Sequence, residues 1–356
     1  MSYERRSVQD TQAYQPGKQA ALSETIKLNT NENPYPPPAE VVEALRSISA
    51  ETLRRYPPPL ADAFRSAVAE LHRVDVESII AVNGGDELIR LAMATFVEPG
   101  QPVGILQPSY ALYPVVTSLH GSPIIGVELD SNWLPPDDAA SLLNAAGAAL
   151  VFMTNPHAPS GSLVSVEEIE RFAGAVDGVV LIDEAYVDFV DPSLEHDAVT
   201  LIRRLDNVIL LRTLSKGYSL AGLRCGYGIG SRGVIRPMLT KTRDAYNVDA
   251  IAQRVAECAV RQRAAAEQTW HKVRQSRAAL TEALVHAGFR VYPSQTNFVL
   301  ATVPPERDAA LMTAQLEQRG ILVRHFDAPR LRDKLRITVG TPEQNAALLL
   351  ALRELV

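Results

Sequence analysis

Cysteine is scarce: Cys225 and Cys258 are the only two in 356 residues. Two cysteines cannot build a disulfide scaffold or a Cys-rich zinc site, and their scarcity suits a reducing compartment. Seven histidines show no metal-ligand spacing such as His-Glu-x-x-His, so no metal is expected. No apolar run approaches the ~18 residues of a membrane span, and the opening Met-Ser-Tyr-Glu-Arg-Arg lacks the apolar core of a signal peptide. Basic residues are not in excess. The balance of 35 basic against 41 acidic residues, a net charge of −6, argues against a broad nucleic-acid-binding face. There is no internal repeat, and no Gly-x-Gly-x-x-Gly to suggest a dinucleotide site. These absences leave a cytoplasmic α/β enzyme as the expectation.

The composition is that of a globular chain: 46% apolar, 21% charged, mean hydropathy −0.02. A single core rarely grows past roughly 250–300 residues, so this length predicts two domains. Proline is in excess, 24 residues or about 6.7% against an average near 5%. It clusters at 34–38 and 57–59, where neither a helix nor a central strand can pass.

Residues 1–30 read as an arm with little periodicity. After the first proline cluster, short Val/Ile/Leu-rich runs at 78–82, 103–106, 148–153, 179–182 and 208–211 read as buried strands. Helical windows separate them; in Asp86–Phe96, Leu88, Ile89, Ala92, Met93 and Phe96 share one face. Alternation of this kind predicts a mostly parallel sheet. From about Asp249 to His286 the pattern is helical, with Gly288 placed to end it. Smaller segments follow, and the last helix opens on Thr341-Pro342-Glu343-Gln344, a capping-box spacing with proline first. The expected organisation is an arm (1–30), a large domain (31–245) and a small α+β domain (246–356).

Four runs end in polar residues, and open α/β sheets bind ligands at the carboxyl ends of their strands. Asn83-Gly84-Gly85-Asp86 follows the first strand and opens a helix whose N–H groups suit a phosphate; the plainer alternative is a tight turn capped by Asp86. Asp183 ends Val-Val-Leu-Ile, where a buried carboxylate needs a partner such as a protonated ring nitrogen, unless it merely caps a helix. Lys216 lies in Thr213-Leu214-Ser215-Lys216-Gly217-Tyr218, where a lysine at a sheet edge can form an imine; Ser215 and Arg224 bracket it with anion-binding groups. Arg336 lies between Leu335 and Ile337 on the opposite face of its strand, as an anion clamp or as one residue of a half-exposed edge strand. An imine-forming lysine, a carboxylate 33 residues before it and phosphate donors are together what pyridoxal phosphate requires. Tyr186 lies within reach of the ring's phenolic oxygen in this scheme. Cys225 and the pair Glu167-Glu168 are read as packing and as a solvated helix start.

On these motifs the chain resembles the fold-type I pyridoxal-phosphate aminotransferases of class II, and among them the histidinol-phosphate branch. The likeness runs from Tyr14 to the last helix and is strongest at Lys27–Pro34 (Lys-Leu-Asn-Thr-Asn-Glu-Asn-Pro), Thr213–Tyr227 and Leu335–Thr341. It implies a seven-stranded, mostly parallel large-domain sheet, a homodimer and transamination of L-histidinol phosphate with 2-oxoglutarate, giving imidazole acetol phosphate and glutamate in histidine biosynthesis. Alternatives of the same fold are an aromatic amino-acid aminotransferase and a threonine-phosphate decarboxylase-like enzyme. By the resemblance, Lys216 bonds the cofactor and shuttles a proton, Asp183 meets the ring nitrogen and Tyr186 the ring oxygen. Gly85, Asp86, Ser215 and Arg224 hold its phosphate, Tyr110 stacks on the ring, and Tyr56 reaches the phosphate from the neighbouring subunit. Arg336, Arg324, Tyr14 and Asn297 are implied to bind substrate. One motif departs from the pattern. Where the family carries Asn-Asn-Pro-Thr-Gly, this chain reads Asn155-Pro156-His157-Ala158-Pro159-Ser160-Gly161, so Ala158 replaces the asparagine that meets the ring oxygen. Tyr186 alone, Asn155 or His157 is then expected to serve.

Overall fold

The computed structural model describes residues 2–9, 11–19 and 24–355. Residues 1, 10 and 20–23 of the expected arm, and residue 356 of the expected small domain, lie outside the described residues.

Seven strands form the main sheet: β1 Ile79–Val82, β2 Val103–Gln107, β3 Ile124–Glu128, β4 Leu150–Thr154, β5 Val179–Asp183, β6 Val208–Thr213 and β7 Gly226–Gly230. Their spatial order is β1-β7-β6-β5-β4-β2-β3, parallel throughout except for β7, which runs antiparallel to both neighbours. Helices cover both faces, so β1, β4 and β6 are buried along their whole length, and Ile79–Val82, Leu150–Met153 and Val208–Leu211 read as unbroken apolar runs. Each fully buried Val, Ile or Leu there contributes about 1.5–3 kcal/mol through area removed from water.

The sequence runs anticipate five of these strands; β3 and β7 are the additions. β7 reads Gly-Tyr-Gly-Ile-Gly, a composition that disfavours strand. Its glycines exist for close approach: a Cβ on Gly228 would meet Ile80 and Leu88 at 2.9 Å. Because β7 is reversed, its amino end lies beside the carboxyl ends of the others, with Gly226 paired to Val82 and Thr213. Arg224 therefore arrives at the same sheet edge as Gly85, Asp183 and Lys216.

The helical stretch expected from Asp249 to His286 is two helices, Ala250–Arg261 and Arg263–His286. Gln262 leaves helical geometry (φ −93°, ψ 24°) and separates them. Beyond lies a four-stranded antiparallel sheet of β8 Arg290–Val291, β9 Phe298–Thr302, β10 Arg324–His325 and β11 Lys334–Thr338, in the order β10-β11-β9-β8. β11 is thus interior, with Leu335 and Ile337 fully buried on one face and Arg336 on the other. The last helix, Pro342–Arg353, begins with the expected capping box between Thr341 and Gln344. Glu168 forms a second such box with Ser165, a closer role than solvation alone. The segment 26–31 lies along the second sheet: Ile26–Lys27 pairs in parallel with Ile321–Leu322, and Thr338 N–H donates to Leu28 O at 2.9 Å.

Candidate active site

A cleft of about 380 Å³ opens at the carboxyl edge of the large sheet, and β10 and β11 form its far wall. Gly85, Asp86, Tyr110, Asp183, Tyr186, Ser215, Lys216, Arg224, Tyr14, Arg324 and Arg336 all line it. Eleven of the fourteen residues expected in one site are thus brought together from eight separate stretches of chain.

Asp183 ends β5 between Thr154 of β4 and Leu211 of β6. Its carboxylate accepts from the Tyr113 hydroxyl at 2.8 Å and from Ala185 N–H at 3.1 Å. It has no ion-pair partner among the described residues, and burial pushes its carboxyl up to about 6 against those two hydrogen bonds. A buried acid left so is one that lacks a cation. The adjacent Glu184 differs: Arg212 Nε at 2.8 Å holds its carboxyl below the usual range despite full burial.

Lys216 follows β6, and its Nζ donates to Thr30 O at 2.9 Å. Burial, with the Arg336 guanidinium next, lowers its amine to about 8. Nearby, Gly84 caps the helix Gly85–Phe96 with φ +75°, a conformation that favours glycine. A Cβ on Gly84 would meet Arg224 Nη2 at 2.6 Å. Asp86 is therefore not the cap; it sits in the first turn and faces Arg224 Nη2 at 3.5 Å. Arg224 Nη1 also donates to Ser215 Oγ at 3.3 Å. The free N–H groups of the first turn, a guanidinium and a hydroxyl converge as an anion cradle.

Across the cleft, Arg336 Nη2 donates to Asn29 O at 3.0 Å, while its Nε is buried with no partner. Phe298 and Phe326 flank the guanidinium, each centroid 5.3 Å away. Burial lowers the Arg336 pKa, as expected of a cation waiting for an anion. Tyr14 meets Tyr110 edge-on at 5.7 Å, closing the cleft from the arm.

Three expected residues lie elsewhere. Asn155 is fully buried behind the wall: its Oδ1 accepts from Val164 N–H at 2.8 Å and its Nδ2 donates to Val164 O at 3.1 Å, so it does not face the cleft. Asn297 is likewise absent from the lining; its Nδ2 donates to Asn31 O at 2.9 Å and fixes the arm segment. Tyr56 is 82% exposed and stacks on Tyr246 at 4.5 Å, outside the cleft of its own chain. His157 does not take the place of the asparagine missing at Ala158 either, because its ring bonds Ser160 Oγ and Pro108 O, both at 2.7 Å. Ala158 does line the cleft, beside Tyr186 and Phe298. Sequence reasoning missed Tyr113, Thr213 and Asn31. Tyr113 had a signal, one helical turn beyond Tyr110; Asn31 had none beyond its place in the Lys27–Pro34 motif.

The model of the aminotransferases of class I and II matches residues 23–352. The chain belongs to that family. It is 42% identical over 356 residues to histidinol-phosphate aminotransferase 1 of Trichormus variabilis, covering 100% of this chain and 99% of that protein. It is 43% identical over 357 residues to histidinol-phosphate aminotransferase 1 of a Nostoc species, covering 100% and 98%. In fold it is similar to the histidinol-phosphate aminotransferase of Sinorhizobium meliloti solved in complex with pyridoxal-5'-phosphate (TM-score 0.89, 24% identity, 100% and 99% covered). It also resembles an aspartate aminotransferase of Thermus thermophilus (TM-score 0.84, 21% identity, 100% of both chains). The enzyme is a pyridoxal-phosphate-dependent transferase of fold type I. The cleft fits that cofactor on its own evidence: a buried acid without a cation, a half-buried amine of lowered pKa and an anion cradle stand around one cavity.

Proposed function

We propose that the enzyme transfers the amino group of L-histidinol phosphate to 2-oxoglutarate, giving imidazole acetol phosphate and glutamate. The observation that carries this reading is the meeting of Arg336 and Arg324 on one wall of the cofactor cleft. One substrate carries a phosphate and the other two carboxylates, so a single site must hold different anions in turn. Guanidinium groups do this by forked pairing with either. The names borne by the full-length relatives support the same substrate.

Within the cleft, Lys216 holds the cofactor aldehyde, Asp183 the ring nitrogen, and Tyr186 the ring oxygen. Gly85, Asp86, Ser215 and Arg224 hold the phosphate, and Tyr110 lies against the ring. Bound there, pyridoxal phosphate supplies a ring that accepts electron density from the substrate Cα. Asp183 keeps its negative charge in a site that penalises it, so a protonated nitrogen opposite is strongly favoured. Lys216 Nζ takes and returns the proton at Cα. Arg336, Arg324 and Tyr14 orient the substrate. Tyr56, exposed and outside its own cleft, completes the site of a second copy, so the working unit is a homodimer. The enzyme acts in the cytoplasm, as its few free cysteines and biosynthetic relatives suggest. The arm, large and small domains divide near residues 30 and 245.

A side-by-side measurement of kcat/KM for histidinol phosphate, phenylalanine and tyrosine tests the substrate. Histidinol phosphate is expected to lead by orders of magnitude. If either aromatic amino acid exceeds it severalfold, the enzyme is an aromatic aminotransferase instead.

A further inference from the structure

Tyr186 sits on a wall with little polar support. Ala158 beside it offers no polar side-chain atom, and Asn155 and His157 are turned away to Val164, Ser160 and Pro108. One polar group does touch the phenol: Asn31 Nδ2 donates to Tyr186 Oη at 2.9 Å.

The direction of that hydrogen bond is fixed by the rest of the network. Asn31 N–H donates to Thr338 Oγ1 at 3.0 Å, which leaves the Thr338 proton to donate back to Asn31 Oδ1 at 3.1 Å. With Oδ1 occupied, the other end of the carboxamide, a donor only, faces Tyr186. Asn31 O accepts from Asn297 Nδ2 at 2.9 Å, so the backbone is held as well. It is held at φ +56°, a left-handed conformation that asparagine tolerates better than most residues. Asn31 is 1% exposed, so its amide is largely shielded from solvent. Tyr186 Oη therefore accepts on its arm side, and its single proton points into the cleft, where no described residue takes it.

We propose that Asn31 is a positioning residue that orients the Tyr186 hydroxyl as a donor to the cofactor's ring oxygen. The role rests on the reading of the cleft given above. A donated proton stabilises the ionised ring oxygen, and that lowers the pH at which the visible band of the lysine-bound cofactor titrates. Without the amide, the phenol is a weaker donor and is free to rotate. With an acceptor in place of the amide, its proton turns away from the cofactor.

The test is a spectrophotometric pH titration of the cofactor-loaded enzyme, with the dissociation constant for pyridoxal phosphate measured alongside. Asn31→Gly keeps the left-handed backbone and removes the amide. Asn31→Asp keeps the shape and replaces the donor with an acceptor. The spectral pKa is expected to rise by about half a pH unit in Asn31→Gly and by about one unit or more in Asn31→Asp. Cofactor affinity should fall about tenfold in the latter. Asn31→Gly made in a Tyr186→Phe background should add nothing, since both changes remove one interaction. If Tyr186→Phe shifts the band and neither Asn31 variant does, this proposal fails while the reading of the cleft stands. A shift by Asn31→Asp with Asn31→Gly silent would report only added charge and overturns it too, as does an Asn31→Gly shift that persists in full without the Tyr186 hydroxyl. If Tyr186→Phe itself leaves the band unmoved, the role assigned to Tyr186 fails, and this one with it.

Discussion

Arg324 and Arg336 stand opposite each other on neighbouring strands β10 and β11, and both guanidinium groups lie over the ring of Phe326, 5.2 and 5.3 Å from its centroid. Like charges across a strand pair ordinarily repel. Here the aromatic face steadies both cations and keeps them parted. An anion entering there finds the Arg336 charge already desolvated, so little reorganisation opposes its capture.

Arg336→Ala should weaken both half-reactions. Charge-assisted hydrogen bonds are worth about 1.5–3 kcal/mol each, so kcat/KM for donor and acceptor should each fall roughly 10- to 200-fold per bond lost. Arg324→Ala should act chiefly on the phosphorylated substrate. Kinetics with both substrates check this; a loss confined to one substrate in Arg336→Ala would show that the two anions have separate anchors.

Lys216→Ala should abolish transamination and the visible band of the lysine-bound cofactor while leaving the circular-dichroism spectrum unchanged. In the native enzyme the free amine is the reactive form. With its pKa lowered to about 8, loading of the cofactor-free enzyme should speed up as pH rises toward 8 and level off above it. A loading rate still climbing tenfold per pH unit beyond 9 would place the amine at an ordinary lysine value.

Asp183 makes stability depend on pH in the direction opposite to a salt-bridged carboxylate. Its pKa is raised, so the folded chain holds this proton more tightly than the unfolded chain does. Its contribution is therefore fully present below the unfolded value near 4 and is lost as pH rises through about 6. The cofactor-free wild type should lose about 2–3 kcal/mol across that window relative to Asp183→Asn, an order of magnitude set by two units at 1.36 kcal/mol each. Denaturant melts at pH 4 and pH 7 check it. Loaded enzyme should show no such loss, and Asp183→Asn should cut kcat by orders of magnitude.

Tyr56 offers a complementation test. Lys216→Ala and Tyr56→Ala chains, each nearly inactive alone, should regain activity when unfolded together and refolded. Random pairing makes half the dimers hybrid with one intact site of two, so about a quarter of wild-type activity is expected. No gain over the separate variants would show that Tyr56 does not complete the site of a second copy.

Much of this site could be read from residues because its chemistry sits where strands end. Asp183 directly follows an apolar run, Lys216 lies five residues past the end of another, and Arg336 alternates with Leu335 and Ile337; such patterns survive in one dimension. β7 did not, because three glycines remove the side chains on which strand patterns depend, and its meaning lies in the close approach of Ile80 and Leu88. The break at Gln262 is also silent, since no proline or glycine marks it. Asn155 and Asn297 were expected in the cleft, yet each spends its amide on backbone nearby. An asparagine's partners are decided by tertiary neighbours, and nothing in its local spacing tells a ligand contact from a backbone clamp.

The short stretch 29–31 touches everything that matters: Thr30 O receives Lys216, Asn31 receives Thr338 and reaches Tyr186, and Asn29 O receives Arg336. Cofactor side and substrate side thus share one piece of backbone. Linkage then runs both ways: any anion that tightens its hold on Arg336 by moving this stretch must change cofactor retention by the same factor that the cofactor changes its own. A tripeptide of this kind makes loading and substrate capture a single thermodynamic account of one enzyme, and places its centre of coupling on the backbone of 29–31, in the wall of the cleft itself.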